Sequence, residues 1–202
     1  MHFYYITSVR FCRYFAECLW LEETLNNHDN SEEWQQYRTK RIHELYELYK
    51  DADVHADPVL EGFNILHDNT GVKRRKNIPA SENLIKLLVK RGEVFYINQA
   101  VDIYNLISLD SKLALGAHNI DKTDGGVTLR FTDGTEKYIP IGQNEPTPVA
   151  AHEYCYCDDS NEVLCRLEIR HIGMTKLMTC TKKPEISGFF ATQISKKLLR
   201  FS

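Results

Sequence analysis

The sequence has no long apolar run, no excess of one charge and no Cys-x-x-Cys pair, and each gap closes off a class of protein. The stretch MHFYYITSVRFCRYF at residues 1–15 interrupts its apolar residues with polar and charged ones. It therefore supplies neither a signal core nor a membrane-spanning helix. Lys and Arg number 25 against 28 Asp and Glu, a formal net charge of −3, which argues against a strongly basic nucleic-acid binder and against DNA as a partner. Without a secretory signal, the six cysteines read as reduced thiols and the expected location is cytoplasmic. A Walker-type phosphate loop, a serine-centred nucleophile elbow, internal repeats and low-complexity segments are all missing. Zinc is the one metal to weigh. Among His152, Cys155, Cys157, Cys165, His171 and Cys180, only Cys155 and Cys157 share a strand face, and a structural zinc needs four converging ligands. Buried free thiols are the favoured reading, and no metal or cofactor is expected.

What the chain does have is an ordinary apolar fraction of 43% over 202 residues, enough for one large domain or two small ones. Ala16–Thr24 fits a strand or a helix. Ser31 with Glu32 and Glu33 opens a helix reaching about Lys50, with Trp34, Tyr37, Ile42, Leu45 and Leu48 as its apolar side. Asp57-Pro58 starts a second helix, bearing Val59, Phe63 and Leu66, that stops before Asn69. Pro79 and Ser81-Glu82 open a third, ending at Lys90-Arg91-Gly92, where cations and glycine suit a helix C-terminus. Beyond Gly125 the pattern changes to alternation. Val127–Phe131 reads as a strand, Asp133-Gly134 as a hairpin turn and Glu136–Ile141 as its partner. Glu153–Cys157 and Val163–Ile169 read as a second hairpin, Gly173–Thr179 as a strand or turn, and the tail after Phe189 as helical through Ile194, Leu198 and Leu199. Helices gathered first and hairpins later predict an α+β fold with antiparallel strands in the second half.

The candidate site lies in Tyr96–Lys122. Asn98, Asp102 and Asn105 are spaced by four and three, which places them on one helix face beside Val101, Ile103, Leu106 and Ile107. Two readings fit: a face that holds a small polar ligand, or residues that cap the helix start and bond the nearby backbone. Ala114-Leu-Gly-Ala-His-Asn119 follows, with small residues that allow close approach of a ligand or a strand. His118 is the best acid–base candidate, since histidine alone titrates near neutral pH unaided. A hydrogen-bonded structural histidine is the competing reading. Lys73-Arg74-Arg75-Lys76 is the one basic run; it is either a solvated loop or a phosphate contact. Arg166, Glu168 and Arg170 alternate on one strand face, which is either solvated or suited to a carboxylate or phosphate.

Val101-Asp102-Ile103-Tyr104-Asn105, then Ile120-Asp121-Lys122 with Gly125-Gly126, then Val127–Phe131, Gly134 and Ile141-Gly142 form a pattern that resembles the editing (B3/4) domain of the phenylalanyl-tRNA synthetase beta subunit. The likeness runs over about residues 55–183 and is nearest to free-standing versions of the domain. Tyr104 stands where the family has threonine. The aminoacylation motifs are absent, so a complete ligase is excluded. The resemblance implies a single B3/4-like domain over 1–202, with 1–54 an N-terminal extension, a β-rich core flanked by helices and a pocket between interwoven subdomains. It implies tRNA and a small aromatic amino acid or aminoacyl group as partners, and hydrolysis of mischarged aminoacyl-tRNA as the activity. A non-catalytic amino-acid-binding module with the same pocket is the alternative, and an interaction domain with a vestigial pocket is a third. His118 is the catalytic candidate: if its segment is extended, positions 116 and 118 share a face, and His118 would reach the space that the family's histidine fills. Asn98, Asp102, Tyr104, Asn105, Gly116 and Arg166 would bind substrate, and Lys73, Arg74, Arg75 and Lys76 would touch nucleic acid. Two positions depart from the family: its editing-site histidine falls on Gly116, and its later glycine pair falls near Arg166–Glu168.

Overall fold

A computed structural model describes residues 2–11, 14–22, 31–69, 71, 78–97, 99–119, 123–140, 143–166 and 189–195; for 2–22, 99–100, 117–119 and 189–195 only the backbone is described. The chain opens with strands β1 (His2–Phe11) and β2 (Tyr14–Glu22). Four helices follow: α1 (Glu32–Tyr49), α2 (Pro58–Asn69), α3 (Ala80–Arg91) and α4 (Gln99–Ser111). Then come β3 (Leu115–Asn119), β4 (Val127–Phe131), β5 (Lys137–Tyr138), β6 (Thr147–Pro148), β7 (Tyr154–Asp158), β8 (Val163–Arg166) and β9 (Phe189–Ser195). The fold is α+β, with its helices in the first half and its strands mainly in the second, all paired antiparallel within the sheets.

Local chemistry explains the helix ends. Ser31 caps α1 by accepting from the Trp34 N–H at 3.2 Å. Asp57 caps α2 by accepting from the Val59 and Leu60 N–H groups at 2.9 and 3.3 Å. Gly92 closes α3 at φ +73°, a left-handed turn that a Cβ would strain. The inward face of α1 differs from expectation. Ile42, Leu45 and Tyr49 are buried, spaced by three and four, whereas Tyr37 and Leu48 are exposed. The inward row extends back four residues from Ile42 to Arg38, whose head is used below. In α2 the buried row is Leu60, Phe63 and Leu66.

The strands form three sheets: β1-β2-β9-β3, β4-β7-β8 and β5-β6. The main core joins all four helices to one face of β4-β7-β8 through Leu45, Leu60, Phe63, Leu66, Ile85, Leu88, Leu109, Leu129, Tyr154, Tyr156 and Leu164. A smaller cluster of Tyr138, Val149, Cys155, Cys157 and Val163 covers the other face, so β7 is buried on both sides. The expected hairpin of β7 and β8 is present.

Two expectations are overturned. Residues 136–140 of the expected partner strand do not return along β4; β4 pairs with β7, and Lys137–Tyr138 pairs with Thr147–Pro148. The Glu136 carboxylate accepts the Asp133 and Gly134 N–H groups at 3.0 and 2.9 Å and binds Arg130, so the turn's donors go to a side chain instead of a ladder. The tail from Phe189 is a strand over Phe189–Ser195, where helical spacing was read. Its aromatic and β-branched residues suit a strand, and it fills the gap between the edges of β2 and β3. The expected turn at 26–30, the segment 173–179 and the residues beyond Ser195 lie outside the described residues.

Candidate functional site

A cleft of about 350 Å³ opens where α3, α4 and β3 meet. Its wall on α3 is Ala80, Ser81, Asn83, Leu84, Lys86, Leu87 and Lys90; Asn105 and Ser108 come from α4 and Leu115 from β3. The spacing makes the wall. Ala80, Leu84 and Leu87 form an apolar row, and Asn83, Lys86 and Lys90 form a polar row beside it. The opposite face of α3, through Ile85 and Leu88, is buried in the main core and fixes the helix in place. Lys86 Nζ meets Glu82 Oε1 at 2.5 Å, a partner one turn back on the same helix. Ser81 is 1% exposed, and its Oγ has no hydrogen-bond partner within the protein.

The candidate residues separate in space. Asn105 lines the cleft. Asp102, three residues earlier, is not among its walls; it is 1% exposed and meets Arg38 Nε at 2.7 Å. Burial pushes the Asp102 carboxyl up, while the Arg38 guanidinium pulls it down less strongly. Arg38 also donates through Nη2 to the Val94 carbonyl and lies 5.8 Å from the Tyr96 ring centroid. One guanidinium thus ties α1 to α4 and to the segment that connects α3 and α4. Tyr104 is partly buried and is not a cleft wall; burial pushes its hydroxyl up to about 12.

Gly116 and His118 are both in β3, opposite Thr192 and Phe190 of β9, and Gly116 follows the cleft residue Leu115 directly. The segment is extended, as the proposed sharing of a face by positions 116 and 118 requires; the His118 side chain lies outside the described residues. Arg166 is elsewhere, on β8, with Nη2 on Glu153 and its guanidinium 5.7 Å from the Tyr138 ring centroid. Asn98, the basic run Lys73, Arg74, Arg75 and Lys76, and the later strand positions Glu168 and Arg170 lie outside the described residues.

Sequence reasoning passes over Asn83, Lys86 and Lys90: Lys90 is explained as a helix-end charge, and Asn83 and Lys86 carry no motif. The available signal was their spacing of three and four beside a leucine row on a helix whose other face is core. Cys155 and Cys157 do share a face, with their sulfurs 3.3 Å apart; their mutual hydrogen bond and burial push the Cys155 thiol up. Among the described residues, no group of three or more His, Cys, Asp and Glu could hold a metal ion. Among the same residues, no helix is long and apolar enough to cross a membrane.

Comparison with known proteins places this geometry in a family. The model of the B3/4 domain matches residues 70–197, a span that contains α3, α4 and β3 and therefore the whole cleft. The chain belongs to the B3/4 domain family. Among solved structures it is similar to an N-terminal fragment of the phenylalanyl-tRNA synthetase beta-subunit from Pyrococcus horikoshii. The identity is 15% and the TM-score 0.40, with 52% of this chain and 37% of that chain covered. No curated protein matches the sequence.

Proposed function

We propose that this chain is a B3/4-type module that receives an aromatic amino acid or aminoacyl group in the cleft between α3, α4 and β3. The observation that carries the reading is the position of Asn105. It lies in the segment that resembles the phenylalanyl-tRNA synthetase editing domain, and it is also a wall of the cleft. The volume of about 350 Å³ suits a single amino-acid side chain with its head group. Leu84, Leu87 and Leu115 offer an apolar floor, and Asn83, Asn105, Ser108 and the lysines offer polar contacts around it. Binding comes ahead of chemistry in this reading. Glycine at position 116 has no side chain with which to orient a hydrolytic water, and Asp102 is committed to Arg38. The same reading takes residues 1–202 as one unit, supported by a sheet that pairs β2 near the start with β9 near the end.

The test is calorimetric titration of L-phenylalanine and L-tyrosine into wild type and Asn105→Ala. Wild type is expected to bind at least one of them. Loss of a side-chain hydrogen bond worth about 1.4 kcal/mol weakens binding about tenfold in the variant. Failure of wild type to bind either, or identical isotherms for the two proteins, would remove the basis of the reading.

A further inference from the structure

We propose that the cleft selects ligands with a free carboxylate, held at the Lys86–Lys90 row, so that it takes free aryl- or alkyl-substituted monocarboxylic acids such as amino acids in preference to their esters or amides. This rests on the reading of the cleft as an aromatic amino-acid pocket and names the head group that pocket requires.

Three features of the wall carry the assignment. First, the charge is one-sided. Lys86 and Lys90 both line the cleft, and none of the residues lining it is an aspartate or glutamate. Second, the lysines retain bonding capacity. Glu82 occupies one donor of Lys86, leaving its ammonium two more, and Lys90 has no acidic partner among the described residues. Third, the polar row runs beside the apolar row of Leu84 and Leu87 on the same helix, so a head group on the lysines leaves an attached ring or alkyl chain over the leucines. A carboxylate there accepts charge-assisted bonds, which are about twice as strong as neutral ones.

An ester-linked aminoacyl group has no ionised carboxylate to offer. The proposal therefore separates free amino acids from the aminoacyl ends of nucleic acids by chemistry rather than by size.

The experiment compares 3-phenylpropionate, L-phenylalanine, L-phenylalaninamide and phenyl phosphate by calorimetry against wild type, Lys90→Met, Lys86→Gln and the double variant. Melting curves confirm that each variant is folded. The two acids are expected to bind wild type at least tenfold more tightly than the amide, and the double variant to lose that preference. Equal binding of acid and amide would overturn the carboxylate assignment while leaving the aromatic pocket in place. So would a preference that survives the double substitution, or phenyl phosphate binding more tightly than the acids. Binding of none of the four would overturn both readings together.

Discussion

At the scale of single residues, Arg38 ties together the elements around the site. Its head is 14% exposed and its partner Asp102 is 1% exposed, so the pair lies largely away from solvent screening. It contacts α4 through Asp102 and the α3–α4 connection through the Val94 carbonyl. Those two segments set the position of Asn105 against α3. Removing one member of a buried pair strands the other, at a cost of about 3–5 kcal/mol. Arg38→Ala is therefore expected to lower unfolding free energy by about that amount in urea titrations. The Arg38→Ala, Asp102→Ala double variant should lose less than the sum of the two single losses. A change within about 0.5 kcal/mol for Arg38→Ala would show that the pair does not hold these elements. The same pair marks the limit of sequence reasoning about the site. Helical spacing put Asn105 and Asp102 on one face, and Asn105 lines the cleft; spacing could not set Asp102 apart, because Arg38 is 64 residues away in the chain. Lys86 and Lys90 escaped for a similar reason. Lys90 near the helix C-terminus and Lys86 one turn after Glu82 are each explained locally, and only the approach of α4 and β3 turns them into a wall.

At the scale of elements, α2 is held at its start by Asp57, which caps the helix and pairs with Lys112 just after α4. Burial pushes the Asp57 carboxyl up, but the Lys112 ammonium and the two backbone N–H groups together outweigh it and hold it below the usual carboxylate range. A carboxyl lowered in the folded state adds stability above its unfolded value, near about 3.9, and loses it as pH falls through the lowered folded value. Asp57→Ala is expected to destabilise by about 1–2 kcal/mol at neutral pH, with the gap to wild type narrowing below about pH 4. A gap that stays constant from pH 7 to pH 2 would mean that the charge contributes nothing. Capping of this kind is why the helices were legible. Ser31, Asp57 and Gly92 mark their ends with local chemistry. The β7–β8 hairpin was legible because its two alternating runs are joined by a short polar turn. The strand partners of β4 and β9 were not, since pairing is chosen by whichever edge is near in space. Asp133-Gly134 promised a hairpin on local grounds, and the Glu136 carboxylate took its donors instead.

At the scale of the whole molecule, the order β1-β2-β9-β3 makes β9 an inner strand, paired on both sides. Thr192 is opposite Cys18 of β2 on one side and Gly116 of β3 on the other. The strand therefore couples the N-terminal hairpin to the strand whose first residue, Leu115, lines the cleft. Proline at an inner position has no N–H to give and its ring does not fit the ladder, whereas alanine keeps the backbone donor. Thr192→Pro is expected to cost at least about 1–3 kcal/mol through a stranded backbone acceptor, and Thr192→Ala much less. The loss should spread in both directions along the ladder. Amide exchange should quicken in β2 and in β3, residues 2–22 should become sensitive to protease, and ligand affinity at the cleft should fall although no residue that lines it has changed. Thr192→Pro that leaves exchange in β2 and β3 at the wild-type rate would contradict the register of β9. Faster exchange in both strands with unaltered ligand binding would keep the register but show that β3 does not need β9 to form the cleft wall.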